Sequence, residues 1–421
     1  MNKKLLGFVI AFLLIAGAGA LAAIYLIPYN PEQPPKADDS GYTEQGVRDV
    51  INANNEFAFE LYSKVNSPEN NIFFSPYSIS SAMAIAYEGS KGKTSEEISS
   101  VFHYPSPKIL APNFASIYNR LNNNSEKYEL RTGNALWAQK DYKFLDDYMS
   151  KVESRYEGRA TNLDFANEPE KSAKTINSFI EEQTNDKIKN LIDSNSITPL
   201  TKLIITNAVY FKGRWVWEFD KSETKDKDFK ISSSRTVKVP MMHMKNDKAQ
   251  FNYLDNEDLQ ILELPYQGEK LSMLIILPTE GINQNSSFTS DKLNELKEKM
   301  EKTTLDDIYL PKFEFDTKTM LKETLISMGM PLAFDYENAD FSGMNGEKAL
   351  YIGQVIHQAY VKVDEKGTEA AAATAIMKGV TSAAPTPRKI FNADHPFIFI
   401  IQDKENGNIL FIGKVANPLK K

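Results

Sequence analysis

The alternation of hydrophobic and polar positions predicts β-strands along much of the chain. Residues 354–364 end with Val361 and Val363, each followed by a charged side chain, which is the period of a half-buried strand. Residues 201–211 are apolar at most positions, which predicts a strand covered on both faces. Further strands are predicted over residues 72–74, 128–138, 160–165, 306–315, 396–402 and 408–414, and two more lie within residues 251–278.

Apolar positions spaced three and four apart predict amphipathic helices between these strands. Residues 42–64 have this spacing, and Pro76 starts a second helix in its first turn, where the missing N–H is harmless. Other helices are predicted over residues 93–101, 111–122, 142–156, 169–187, 290–302 and 319–328. Strands and helices follow one another without a regular βαβ rhythm, so the pattern predicts an α+β fold with several sheets.

The stretch that follows the strand 354–364 fits neither period. An alanine run normally favours a helix, but this one lies between a strand and a loop that contains two prolines. Its small side chains would let the segment slide between two existing strands without clashing, and this is our interpretation. The residues concerned are Glu365, Gly367, Thr368, Ala370, Ala371, Ala372, Ala373 and Thr374.

The amino-terminal residues predict a targeting segment. Lys3 and Lys4 precede the uncharged apolar residues 5–27, which contain small residues suited to cleavage of a signal peptide. A run of this length is also enough to span a bilayer as a transmembrane anchor. The proline-rich residues 28–41 predict an extended linker. Both alternatives export residues 42–421, which are predicted to form one domain, secreted or tethered to the outer face of the membrane.

The amino-acid composition excludes several classes of function. The chain of 421 residues has a net charge of −7 and no cysteine, which excludes disulfides, thiol catalysis and cysteine-based zinc sites. No basic stripe predicts binding to nucleic acid. The four histidines are too far apart in sequence for a local two-histidine metal motif, so neither a metal nor a cofactor is predicted.

Enzyme motifs are weak or absent. Ser90 and Lys93 have the spacing of a serine–lysine nucleophile pair, but the two companion motifs of that class are missing. The chain has no G-x-S-x-G, P-loop or H-E-x-x-H motif. We therefore predict that the protein is not an enzyme.

Five separated blocks resemble the serpin family of serine protease inhibitors, in the order that the family has them. The resemblance covers residues 42–418 and implies the serpin fold, with three β-sheets, eight or nine helices and an exposed reactive loop. The blocks are NIFFSPYSISSAMAIAYEGSKGKT (71–94), TNAVYFKGRWVWEF (206–219), LPKFEFD (310–316), VDEKGTEAAAAT (363–374) and FNADHPFIFII (391–401).

In inhibitory serpins the target protease attacks the loop as a substrate. After acylation the loop enters the largest sheet as a new strand and carries the protease across the molecule, so the native fold is metastable. The resemblance implies that residues 365–374 form the hinge of this loop. In the inserted strand, alternate residues starting from Thr368 would face the core, and they are small or apolar as far as Ile376. Lys378 is the exception. Either it lies at the lower edge of the sheet, where its ammonium group can reach water, or it slows insertion.

The resemblance also implies a reactive bond between Thr381 and Ser382, at the family's usual distance from the hinge glycine. Loop lengths vary within the family, so Val380 and Met377 stay as alternatives for the residue before the cut. Thr381 suits a shallow pocket, whereas a trypsin-like protease needs lysine or arginine. The predicted partner is therefore an elastase-like or subtilisin-like serine protease.

Matching of family positions assigns two supporting groups. Ser75, Ser78, Asn207 and His357 resemble the shutter, the cluster beneath the point where the sheet opens. Trp215 resembles the tryptophan of the breach, where the loop enters, although a plain core aromatic is an equal alternative. Residues 111–122 contain one basic residue, Arg120, so no glycosaminoglycan site is predicted.

Two functions follow from the resemblance. The leading prediction is an exported, monomeric inhibitor of serine proteases that acts as a suicide substrate. The alternative is a non-inhibitory serpin that acts as a binding or chaperone module. The intact hinge favours the inhibitor.

Overall fold

The computed structural model describes residues 36–122, 127–156, 158–246, 248–279, 288–368 and 388–420. These residues contain nine α-helices and three β-sheets, which confirms the predicted fold class. The helices are α1 (Glu44–Val65), α2 (Pro76–Gly89), α3 (Gly92–Phe102), α4 (Pro107–Asn122), α5 (Asp146–Tyr156), α6 (Pro169–Gln183), α7 (Ser290–Glu298), α8 (Lys322–Met328) and α9 (Ser342–Asn345).

Seventeen strands lie between and after these helices in the described residues. They are β1 (Ile72–Phe74), β2 (Tyr128–Gln139), β3 (Arg159–Leu163), β4 (Leu203–Arg214), β5 (Lys225–Ser232), β6 (Arg235–Lys245), β7 (Gln250–Asp255), β8 (Leu259–Pro265), β9 (Leu271–Pro278), β10 (Glu301–Thr304), β11 (Asp307–Pro311), β12 (Phe313–Met320), β13 (Ile352–Asp364), β14 (Gly367–Thr368), β15 (Ile390–Asn392), β16 (Phe397–Asp403) and β17 (Ile409–Val415).

The strands form three sheets of different size. Sheet A has six strands in the order β12-β13-β14-β4-β2-β3, sheet B has seven in the order β1-β17-β16-β9-β8-β7-β10, and sheet C has four in the order β15-β11-β6-β5. Strands β13 and β4 of sheet A also pair directly with each other in parallel. The short strand β14 therefore lies between two strands that pair directly with each other lower down, from Ile352 to Tyr360 of β13.

Strand β4 is buried on both faces, as its apolar sequence predicted. Leu203, Ile205 and Val209 pack in the main core, whereas Ile204 and Ala208 pack in a second core beneath α6. This double burial excludes water from the middle of sheet A, below the end at which β14 lies.

Helix α2 begins as predicted. Pro76 occupies its first turn, and the Ser75 hydroxyl accepts a hydrogen bond from the Ser78 backbone N–H at 3.1 Å. Most of this helix is buried, and its serines and alanines allow close contact with β2, β4 and β17. The family's supporting residues Ser75 and Ser78 thus lie at the end of a helix under sheet A.

Several predicted boundaries were wrong where tertiary pairing overrides local pattern. The helix predicted over residues 290–302 ends at Glu298, because residues 301–304 pair with β7 as an edge strand. The strand predicted over 306–315 is two strands, since the chain leaves sheet C and enters sheet A at Lys312. The helix predicted from residue 319 starts at Lys322, and residues 251–278 contain three strands. Strands β5 and β6, rich in charged residues, were not predicted.

Residues Lys36–Lys421 form one compact unit. Within the described part of the chain, no helix is both long and apolar enough to cross a membrane. Residues 5–27, to which the signal-peptide and anchor predictions apply, lie outside that part.

Candidate functional site

The upper end of sheet A, where β4 ends at Arg214 and β13 ends at Asp364, is parted by β14. Below it the two strands pair directly in parallel, from Ile352 opposite Leu203 to Tyr360 opposite Tyr210. At the upper end Thr368 instead lies opposite Gly213 on one side and Val363 on the other. Sheet A is therefore open at its upper end, where β14 fills two residue positions, and closed from Tyr360 and Tyr210 downward.

Gly367 is the residue at which the chain turns into this gap. It has φ 150°, in the region that favours glycine, and a Cβ there would lie 2.0 Å from the Gly213 carbonyl oxygen and 2.7 Å from the Arg214 Cα. Backbone atoms cannot move aside as a flexible side chain can. The predicted hinge glycine is thus required by a close backbone approach as well as by its dihedral angle.

Thr368 points inward from β14. It is 1% exposed, and its hydroxyl lies 2.7 Å from the Tyr266 hydroxyl. Burial raises the pKa of Tyr266, so this phenol stays neutral and can hydrogen-bond with the threonine. A charged side chain at position 368 would take the place of this neutral pair inside the core.

Trp215 lies beside the same pair. Its ring stacks on Tyr266 with centroids 4.6 Å apart, and its Nε1 donates to the Asp364 carbonyl at 3.2 Å. Its backbone N–H also donates to the Lys366 carbonyl at 2.8 Å. The predicted breach tryptophan thus contacts the turn between β13 and β14, in addition to being a buried core aromatic.

Glu365, in the turn itself, is held by two side chains from other elements. Its carboxylate accepts hydrogen bonds from Lys312 Nζ at 2.8 Å and from the Thr224 hydroxyl at 2.9 Å. Burial alone raises the pKa of Glu365, but these two bonds and the Lys312 charge outweigh it, and the pKa is lowered. The turn is therefore fixed by an ionised carboxylate at the junction of sheets A and C.

The four predicted shutter residues form one buried hydrogen-bond network below the opening. The Ser75 hydroxyl donates to the Leu410 carbonyl at 2.6 Å, and the Ser75 backbone N–H donates to His357 Nε2 at 3.2 Å. His357 Nδ1 contacts the Asn207 side-chain oxygen, and Asn207 Nδ2 donates to the Ser78 hydroxyl. The network joins α2 to both strands of the closed pair.

His357 is neutral in this network. Complete burial lowers its pKa to about 3. Because Nε2 accepts from Ser75, the ring proton belongs on Nδ1, which then donates to Asn207. A second proton would leave the Ser75 N–H without its acceptor.

Asn134 is a member of this network that sequence reasoning missed. Its side-chain oxygen accepts hydrogen bonds from Asn207 and, at 3.2 Å, from the Ser78 hydroxyl. It lies opposite Asn207 in the register of β2 and β4. The available signal was an asparagine within an otherwise buried part of a predicted strand, which needs a polar partner.

The remaining predicted residues are the serine–lysine pair and the residues of the reactive loop. Ser90 donates to the Tyr87 carbonyl at 2.8 Å and Lys93 is exposed, so they do not form a nucleophile pair. Among the described residues, no group of three or more His, Asp or Glu side chains is arranged to hold a metal ion. Ala370, Ala371, Ala372, Ala373, Thr374, Thr381 and Ser382 lie outside the described residues.

The sequence of this chain is similar to those of known proteins over most of its length. A family model described as Serpin (serine protease inhibitor) matches residues 52–418. A protein of Methanosarcina acetivorans described as an uncharacterized serpin-like protein is 44% identical over 373 residues, which cover 88% of this chain and 86% of its own length. The leukocyte elastase inhibitor of Xenopus tropicalis is 36% identical over 382 residues, which cover 88% of this chain and 100% of its own length.

Solved structures are similar over most of the chain. A thyroxine-binding globulin in complex with thyroxine has a TM-score of 0.78 and 32% identity, and the match covers 88% of this chain and 100% of that one. Uncleaved ovalbumin has a TM-score of 0.77 and 27% identity, and the match covers 87% of this chain and 100% of that one.

Proposed function

Because the chain belongs to the serpin family, whose members are generally protease inhibitors rather than enzymes, we propose that it is an exported inhibitor of serine proteases. In this proposal the protein is a suicide substrate, and its loop enters sheet A after the protease has cut and acylated it. The observation that carries the proposal is β14, which already lies between β13 and β4 with Thr368 facing the core.

The register of β14 supports insertion of the residues that follow it. Thr368 lies opposite Gly213 in an antiparallel pair, so each later loop residue would lie one residue earlier along β4. Continued without a bulge, this register brings Thr374 to Asn207 and Lys378 to Leu203. The segment 368–378 would therefore cover nearly all of β4, which starts at Leu203.

This register favours the first of the two alternatives for Lys378. Leu203 is the first residue of β4, so Lys378 would reach the lower edge of sheet A, where its ammonium group extends to water. The inward-facing residues before it would be Ala370, Ala372, Thr374 and Ile376. They would lie against Val361, Ala359 and their neighbours on the main-core face of β13.

Insertion would replace one parallel contact by two antiparallel ones. The β13–β4 pair runs parallel, whereas β14 is antiparallel to both strands. Parallel pairing is slightly less stable per residue, and a new strand between the two adds hydrogen bonds along both of its edges. The closed sheet is thus proposed to be metastable, held until the loop is cut.

The shutter network lies within the closed part, three residues below its uppermost pair, Tyr360 opposite Tyr210. Asn207 and His357 lie opposite each other in the closed pair, and Thr374 would come between them. A threonine hydroxyl can both donate hydrogen bonds to and accept them from the polar groups that lose their partners when the strands part. The network is proposed to keep the sheet closed in the native protein and to re-form around the inserted strand.

We propose a protease with a shallow primary pocket as the target. Cleavage between Thr381 and Ser382 suits an elastase-like or subtilisin-like enzyme, and one relative is named a leukocyte elastase inhibitor. Residues 5–27 would export the domain as a signal peptide or tether it to the outer face of the membrane. The alternative function is that of a non-inhibitory binding module, and one structural relative is described as a complex with thyroxine.

A denaturing gel separates these functions. The protein is mixed with pancreatic elastase and, separately, with subtilisin, and a covalent band that survives boiling is expected with at least one of them. Mass spectrometry of the released fragment should place the cut after Thr381. Thermal melting of the nicked protein should give a higher midpoint than that of the intact protein. Clean cleavage with no covalent band and no rise in the midpoint would favour the binding module.

A further inference from the structure

A cavity of about 200 Å³ lies at the edge of sheet A, between the edge strand β12 and helix α1. Its lining includes Thr317 and Thr319 of β12, Leu61 of α1 and, further in, His357 of the shutter network. We call it the β12 cavity. Protein interiors contain few voids larger than a water molecule, so a cavity of this size beside a buried hydrogen-bond network is unusual.

The β12 cavity results from a change of side chain along its strand. The inward-facing Phe313 and Phe315 are each 3% exposed, and both pack in the main core. Thr317 and Thr319 follow at the same alternate positions but are only half-buried. Because threonine is much smaller than phenylalanine, the strand stops filling the core at these two positions, and the cavity begins there.

The two threonines supply the hydrogen-bonding groups that are free in the cavity. Within the described part of the chain, the hydroxyls of Thr317 and Thr319 have no hydrogen-bond partner. Both ring nitrogens of His357 bond within the shutter network. Asn70 and Asn71, also in the lining, already bond with residues 416–420. A ligand would therefore meet two hydroxyls, each of which can donate and accept a hydrogen bond.

Much of the remaining lining is apolar and buried, as Leu61, Ile72, Phe74 and Ile79 show. An apolar cavity of about 150 Å³ can hold benzene, so one of about 200 Å³ can hold an aromatic ring with a substituent. The ring would gain from burial of its apolar surface, and a hydroxyl group on it could bond with a threonine. The size and the chemistry of the cavity therefore fit a small phenol.

We propose that the β12 cavity binds a small aromatic molecule that carries one hydroxyl group, and that the bound molecule keeps sheet A closed. The second half of the proposal rests on the proposed function. Thr319 lies directly opposite His357 in the register of β12 and β13. Insertion of the loop would break the contact of His357 with Asn207 and so disturb this wall of the cavity. A ligand that binds the closed form more tightly shifts the equilibrium toward that form.

The first test measures the affinity of the protein for phenol and for toluene by NMR. Toluene has a methyl group where phenol has its hydroxyl, and the wild type should bind both. Thr317→Val with Thr319→Val keeps the shape of the cavity and removes its hydroxyls. Phenol should then bind about tenfold more weakly, while the affinity for toluene should not change. Failure of the wild type to bind phenol, or an unchanged phenol affinity in the variant, would overturn the inference.

A second variant fills the cavity. Thr319→Phe continues the phenylalanine pattern of β12 and places a ring of the protein's own in the cavity, so neither phenol nor toluene should bind. Thr236→Phe, at an exposed position of β6, is the matched control and should bind both as the wild type does. Phenol binding that survives Thr319→Phe would locate the ligand elsewhere and would overturn the inference. The valine variant tests the site independently if the larger side chain disturbs the fold.

The effect on the sheet is measured with the protease that gives the covalent band. Slower insertion gives the protease more time to complete the cleavage, so saturating phenol should lower the fraction of cut protein found in the band. The Thr319→Phe variant should not respond to phenol, which controls for an effect on the protease itself. Binding of phenol without a change in this fraction would overturn the coupling, although the site would stand. Absence of the band from the wild type would overturn the proposed function and the coupling with it, while the NMR result would still decide the site.

Discussion

The upper and lower parts of the β13–β4 contact hold the same two strands in different ways. At the upper end the strands are already apart, and β14 fits between them through a glycine without a side chain and the Thr368–Tyr266 hydrogen bond. Below Tyr360 the strands pair directly, and the His357–Asn207 contact crosses between them. One strand pair therefore contains both an open and a closed state.

The difference shows where each state is sensitive to mutation. The upper part depends on the size and charge of the residues that enter the sheet, since it has no room for a side chain at Gly367. The lower part depends on buried polar groups that hydrogen-bond to one another and to the Leu410 carbonyl. Changes at the upper end should act on insertion, and changes in the network should act on the stability of the closed sheet.

The largest effect is expected from Thr368→Arg. It would place an unpaired charge beside Tyr266 in the core, which costs several kcal/mol, so residue 368 should leave the gap in the uncut protein and fail to re-enter it after cleavage. The variant should change from an inhibitor into a substrate, measured as loss of the covalent band and of inhibition at equal cleavage rate. Glu369→Arg is the matched control, because the alternation places residue 369 on the outward set. Retained inhibition by Thr368→Arg would show that insertion does not begin at the upper end.

An intermediate effect is expected from Asn207→Ala. The change leaves the His357 N–H, the Ser78 hydroxyl and Asn134 with fewer partners in a buried site, which costs about 2 kcal/mol. The midpoint of thermal unfolding should fall, and the uncut protein should convert spontaneously to a more stable form at a higher rate. Asn338→Ala, in an exposed turn, is the control and should change neither quantity. An unchanged midpoint for Asn207→Ala would mean that the network does not keep the sheet closed.

The family resemblance named residues in both parts of this contact, but each part also contains a partner that the sequence did not reveal. The family resemblance pointed to Gly367 and Thr368, and the small residues at alternate positions after a period-two strand agree with that assignment. Lys312, the partner of Glu365, is brought close only because the chain changes from sheet C to sheet A there. Asn134 reaches Asn207 through strand pairing across 73 residues of sequence, which no local period encodes.

The smallest effect is the dependence of the closed sheet on mild acid. His357 has a pKa of about 3 in the fold and about 6.5 when unfolded, so the unfolded chain binds its proton first as the pH falls. Its neutral form therefore contributes stability that is complete above about pH 6.5 and is lost as the pH falls toward 3. Between pH 6.5 and 5.5 the wild type should lose about 1 kcal/mol more than His357→Gln, which cannot take up a proton.

The variant serves as the reference because other groups titrate in both proteins. His395 has a raised pKa from its bond to Asp394, which outweighs its burial, so its contribution is complete below about pH 6.5 and is lost as the pH rises. That contribution cancels in the difference between wild type and variant. Urea denaturation at each pH gives the two free energies of unfolding. If the free energy of unfolding changed equally with pH in both proteins, His357 would not be the proton-sensitive contact of the closed part. The contrast between the two regions would then rest on Asn207 alone.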